Sequence, residues 1–182
     1  MPALRPCARG FTLIELLVVV TIIAVLAVGA LLSMSALGQD RELETESERL
    51  VTLMNYAREQ AELQTRELGL YCGLHRYQFL AFDPLKNQWA DIGADDAMRV
   101  RDVPPGLTLS LSVEGRDVVL DKVVDAKQVP ADELRPHVMI FSNGDLTSFS
   151  LTIARDGTER SATLTPDDQG RITARMAKQG KS

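Results

Sequence analysis

From Leu16 to Leu32 the chain reads LLVVVTIIAVLAVGALL, without a single charge. Extending the stretch to Phe11 and Leu37 adds one charged residue, Glu15. A membrane-spanning helix needs about 20 predominantly apolar residues, so residues 11–37 are predicted to span a bilayer. Arg5 and Arg9 precede the run and no acid does. The positive-inside rule then keeps the short N-terminus in the cytoplasm and sends the C-terminal bulk across. Glu15 is the residue this leaves unexplained, because a carboxylate at membrane depth costs about 2.5–3.5 kcal/mol, less near the interface.

Two ordinary readings of the first forty residues do not need that carboxylate. One is a secretory signal peptide, with a basic start, an apolar core and a small-residue site at Val28-Gly29-Ala30. The other is an uncleaved signal anchor. The residues carry a third reading. Gly10-Phe11-Thr12-Leu13-Ile14-Glu15-Leu16, after a short basic leader and before an unbroken apolar helix, resembles the class III signal of type IV pilins and type II secretion pseudopilins. The resemblance implies that a prepilin peptidase cuts between Gly10 and Phe11 and methylates the new amine of Phe11. It further implies that Glu15, at the fifth mature position, pairs with such an amine of a neighbouring subunit during fibre assembly. Physically, docking would neutralise two groups that are each costly in lipid, so the pair sets axial register more than it adds stability.

Beyond the apolar run, Leu43, Ser47, Leu50, Met54, Ala57 and Ala61 recur at spacings of four and three residues. That is one apolar-to-small stripe on a helix, predicted to pack on a sheet. Arg41, Glu42, Glu44, Glu46, Glu48, Arg49, Arg58, Glu59 and Glu62 fall on the other faces. No proline interrupts Ala8 through Phe82, so one helix from about residue 12 to 67 is expected, with Gly69 placed to cap it.

After Gly69 the period becomes two. Residues 70–74 read as a strand. Residues 77–82 and 88–92 flank the loop 83–87 as a hairpin. Leu107–Val113 alternates cleanly, and 118–124 is a further strand candidate. Residues 137–141 and 147–154, joined by Ser142-Asn143-Gly144-Asp145, read as a tight hairpin. Residues 159–165 and 171–176 complete the series, with 103–106 and 128–136 as loops. The predicted fold is α+β and type IV pilin-like. A leader covers 1–10, a transmembrane and assembly segment 11–37, an amphipathic periplasmic helix 38–68, and a β-rich periplasmic head 69–182.

The head is similar to that of the minor pseudopilin H family of type II secretion, whose domain some minor type IV pilins share. Tyr77-Gln78-Phe79 with Trp89, Leu107 to Gly115 after Pro-Pro-Gly, and Val138 to Phe149 with Phe141 and Gly144 carry the likeness. Ser148 stands where that family usually has proline. The resemblance implies a structural subunit near the tip of the pseudopilus, anchored in a bacterial inner membrane, that helps export folded proteins. Its partners would be the major pseudopilin, other minor pseudopilins, the prepilin peptidase and the inner-membrane assembly platform. The alternative is a minor type IV pilin, active in pilus initiation or DNA uptake.

Chemistry is thin elsewhere. His75 and His137 are the only histidines, and Cys7 and Cys72 the only cysteines, too few for a zinc cluster or a disulfide framework. His137, Ser142 and Asp145 form a triple of the kind that arises by chance. Asp91, Asp95 and Asp96 lack an EF-hand spacing and read as a solvated loop. Cys72 reads as a small buried residue. No enzyme, cofactor or metal is expected. The net charge is −5, or −7 without the two arginines of residues 1–10. That argues against nucleic acid as a partner, although Arg155, Arg160, Arg171, Arg175 and Lys178 could form a local basic patch.

Overall fold

A computed structural model describes residues 13–92, 95–122, 129–130 and 133–178, with the side chains of 28–40 and 178 outside the description. The chain divides into two compact units, Met1–Asp40 and Arg41–Ser182. Helix α1 runs Leu13–Gln64, as the proline-free stretch predicts. In the first unit every described side chain, from Leu13 to Ala27, is exposed. Among the described residues no helix is long and apolar enough to cross a membrane. The described side chains of the predicted span are those of 13–27, and 11, 12 and 28–37 lie outside them.

In the second unit the predicted stripe is buried throughout. Leu43, Leu50, Met54, Ala57 and Ala61 are each 1% exposed or less, and Ser47 joins them. Small residues at 47, 57 and 61 let the helix approach closely, while Leu50 and Met54 fill the space between. The helix ends at Gln64, short of the predicted boundary. Thr65 takes a left-handed conformation, φ 49°. Arg66 N–H bonds the Ala61 carbonyl at 3.1 Å and Thr65 N–H bonds that of Glu62 at 3.3 Å. This is a Schellman ending with a threonine where glycine is usual. Gly69 is therefore not the cap. It lies inside strand β1, Leu68–Cys72, where a Cβ would stand 2.4 Å from Pro136 Cβ.

Strand β1 is flanked on one side by β2, Arg76–Asp83, itself hairpinned to β3, Gln88–Asp91, and bridged to the short β4, Arg101–Asp102. The predicted 83–87 loop is the β2–β3 turn, with Phe82 opposite Trp89. On its other side β1 pairs with β7, Val138–Ile140. The second sheet has the order β10-β9-β8-β5-β6. Its strands are β5, Leu107–Val113; β6, Arg116–Val118; β8, Phe149–Arg155; β9, Arg160–Pro166; and β10, Ile172–Lys178. All pairings in both sheets are antiparallel. One core joins helix and sheets: Leu50, Met54 and Ala57 pack with Leu70 and Phe79 of the first sheet and Leu109, Leu151, Ile153 and Leu164 of the second. β2 is buried on both faces, because Leu80 on its far side packs with Trp89 and Leu134.

Two predicted strand assignments need correction. The strand predicted at 118–124 is replaced by β6, which shares Val118 alone with it, and residues 119–122 lie in no strand. Glu114 and Gly115 both adopt positive φ, 51° and 76°, and make a two-residue hairpin turn that starts β6 at Arg116. Residues 123–128 lie outside the described set. The predicted 137–154 hairpin keeps its turn, with Phe141 N–H bonded to the Asp145 carbonyl at 2.9 Å and Ile140 bridged to Leu146. Its two arms then belong to different sheets, β7 to the first and β8 to the second.

Gly69→Ala and Thr65→Gly should move stability in opposite directions. The added methyl at 69 meets a stiff proline ring and should cost about 1–3 kcal/mol. Relieving the left-handed threonine should stabilise by about 0.5–1 kcal/mol. Thermal unfolding of the detergent-solubilised full chain measures both, and changes of the same sign would refute this reading of the two positions.

Candidate assembly site

Around α1, Leu13, Ile14, Leu16, Leu17 and every aliphatic residue described through Leu26 are exposed, with Leu13 at 84% and Val19 at 43%. A helix that is apolar all round needs to be buried by something other than water. Glu15 is the acid of the first described turn of α1. Thr21 Oγ1 donates to the Leu17 carbonyl at 2.8 Å, so its hydroxyl is satisfied within the helix and adds no polarity to the surface. Of the predicted site residues the structure describes Glu15, which is exposed. Gly10 and Phe11 lie outside the described residues.

Within the second unit the helix is joined to the sheets by polar contacts that the sequence did not announce. Glu46, assigned to the solvated faces, is 1% exposed. It sits one position before Ser47 on the buried stripe, close enough for its side chain to reach the first sheet. Tyr77 Oη–H donates to Glu46 Oε1 at 2.9 Å, and Arg49 Nη1 donates to Oε2 at 2.6 Å. Burial and then the Glu46 charge push the Tyr77 phenol well above its ordinary range. Arg155, 8% exposed, donates through Nη2 to Glu42 Oε2 at 2.7 Å. Arg58 Nε donates to the Gly144 carbonyl at 2.9 Å. Glycine is required at 144 twice over, by φ +83° and because a Cβ would overlap the Glu62 carboxylate. A cleft of about 920 Å³ opens between the 141–148 and 166–170 turns, with Arg58 in its wall.

His137 and Asp145, two members of the chance triple, are engaged in separate contacts. His137 stacks on Tyr71 with centroids 4.9 Å apart, and its Nδ1 accepts the Cys72 N–H at 3.1 Å. Asp145 Oδ2 accepts from Asn143 Nδ2 at 2.7 Å, closing its own turn. Burial lowers the His137 pKa and pushes the Cys72 thiol up to about 12, the inert state of a small buried residue. Asp95 is divided between the Tyr56 hydroxyl and the Ala97 amide. Among the described residues no group of three or more His, Cys, Asp or Glu could hold a metal ion. The predicted basic patch is partly consumed, since Arg155 pairs with Glu42 and Arg171 with Asp167.

Two family models match this arrangement. The prokaryotic N-terminal methylation motif covers residues 5–31, which include Gly10, Phe11 and Glu15. Type II transport protein GspH covers residues 46–170. The chain belongs to the GspH family. Type II secretion system protein H of Pseudomonas aeruginosa is 35% identical over 161 residues, covering 88% of this chain and 91% of the relative. The Aeromonas hydrophila protein of the same name is 28% identical, covering 90% and 91%. The fold is that of the minor pseudopilin EpsH from the Type 2 Secretion System of Vibrio cholerae, with TM-score 0.60 at 23% identity, covering 78% of this chain and 99% of that one.

Tyr77→Phe should destabilise the head by about 1–3 kcal/mol, since it leaves one oxygen of a buried carboxylate without its donor. A raised phenol pKa stabilises the fold below the ordinary tyrosine value near 10 and loses that contribution as pH rises through the folded value. The melting temperature of the wild type should therefore fall above about pH 10, more steeply than that of Tyr77→Phe. Tyr56 and Tyr71 are also raised and supply the residual slope. Parallel pH profiles would contradict the assignment.

Proposed function

We propose that this chain is a minor pseudopilin, a structural subunit of the type II secretion pseudopilus that helps move folded proteins across an outer membrane. The observation that supports it most is the GspH match over residues 46–170 on a chain whose N-terminus carries the methylation motif. Relatives named type II secretion system protein H span nearly the same length, which favours secretion over the minor type IV pilin alternative. The family is one of structural pseudopilins, and no reaction is assigned to the chain.

In this reading residues 1–10 are removed by a prepilin peptidase between Gly10 and Phe11, and Phe11 is N-methylated. Residues 11–37 hold the subunit in the inner membrane by a single pass, N-terminus inward. The all-round apolar surface described from Leu13 to Leu26 suits both lipid and the packed interior of a fibre. Glu15 meets the cationic Phe11 amine of a neighbouring subunit, and the pairing fixes axial register. The amphipathic helix and head lie in the periplasm, meeting the major pseudopilin and other minor pseudopilins near the fibre tip, and the inner-membrane platform drives assembly.

Mass spectrometry of the protein from secreting cells should find a terminus at Phe11 bearing one added methyl group. Glu15→Ala should leave membrane insertion intact while lowering co-isolation with partner subunits at least tenfold. Normal recovery of the mutant with its partners would overturn the proposed role of the carboxylate.

A further inference from the structure

Among the described residues strand β10 is an edge of the second sheet, and one residue shows the direction of its hydrogen-bonding groups. Ile172 N–H donates to Asn55 Oδ1 at 3.0 Å, and Asn55 Nδ2 donates to the Ile172 carbonyl at 3.1 Å. Both groups of Ile172 therefore point away from β9. Pro166, opposite it, has no N–H to offer and fits that non-bonded position. In an antiparallel strand alternate residues face the same way, so Ala174 and Met176 also turn their N–H and C=O to the free edge. Residues 173–177 are exposed. β10 is seven residues long without proline and pairs residue for residue with β9. The edges of β3, β6 and β7 have four, three and three residues. Natural proteins usually shorten, bend or cover an edge of this length.

We propose that the β10 edge docks an extended segment of another protein, alternating apolar and acidic residues, which adds as a sixth strand through Ala174 and Met176. Strand addition draws affinity from main-chain hydrogen bonds and specificity from alternate side chains, and both halves of that specificity are present. Met176 shares the face of buried Ile172 yet is 53% exposed, so an apolar residue beside it would be covered. Arg175 lies on the opposite face, and β10 has an arginine and a lysine but no acid in a chain of net charge −5. At the Ile172 end, the adjoining groove of about 600 Å³ is lined by Arg58 and Arg171 as well as by Glu59 and Glu62, so its charges balance. Arg175, on the open part of the edge, faces the acidic residue of the segment. Asn55 occupies the edge at Ile172 as one residue of a pairing strand would, and the incoming segment begins where it stops.

The test uses the full chain in detergent micelles and a short, blocked, fluorescent peptide alternating valine with glutamate. Its counterparts are the same peptide with lysine for glutamate and a single-stranded oligodeoxynucleotide. The acidic peptide should bind at least tenfold more tightly than the lysine peptide and slow hydrogen exchange at the Ala174 and Met176 amides. Met176→Pro, which deletes an outward N–H and spares the β9 ladder, should weaken binding at least tenfold. Arg175→Glu should do the same, and Met176→Ala should cost less than threefold. Unchanged melting of the variants confirms that the fold survives. Absence of acidic-peptide binding, indifference to Met176→Pro, or preference for the oligodeoxynucleotide would each overturn the proposal. Those results leave the pseudopilin reading untouched, since that is tested by processing and co-isolation.

Discussion

The head depends on a single stripe of α1. Leu43, Leu50, Met54, Ala57 and Ala61, with Leu53 beside them, face the two sheets, and the burial of the five stripe residues is nearly complete. Neither sheet could bury its inner face alone: β8 alternates buried and half-buried residues along its whole length, the pattern of a sheet wet on one side. The stripe converts two marginal sheets into one core. Each fully buried large apolar side chain contributes about 1.5–3 kcal/mol relative to exposure, so the stripe outweighs any single polar contact in the unit.

Such burial fixes that the helix packs, but less sharply where along the sheets it packs. Hydrophobic contacts tolerate sliding, whereas hydrogen bonds to a buried carboxylate do not. Glu46 is held by Tyr77 and Arg49, Glu42 by Arg155, and Asn55 spans both backbone groups of Ile172. Arg58 reaches the Gly144 turn. These contacts touch the first sheet, the second sheet and the crossover between them. This set of bonds gives the sheets of the second unit a defined register on their helix.

The physical patterns most visible in the sequence are local ones. A stripe at spacings of three and four and the alternation at Leu107–Val113 are each carried by neighbouring residues, and they form the helix and the strand those patterns predict. What escaped was decided by distant partners. Glu46 looks solvated on a helical wheel, and Tyr77, far along the chain, joins Arg49 in making its burial tolerable. Gly69 looks like a cap, but Pro136, far along the chain, requires it inside a strand. The 137–154 segment has the chemistry of one hairpin, and only the competing edges of β1 and β5 explain why its arms part. Gly10 and Phe11 stand on the motif, with the methylation match covering them.

Gene deletion tests most directly whether this chain serves secretion by assembling rather than by catalysing. Exoprotein release into the medium and surface piliation are scored side by side in the deletion strain and after return of the wild-type gene. The account predicts lost release with normal pili, restored by the gene. Lost pili with normal release would contradict it and place the subunit in a surface fibre.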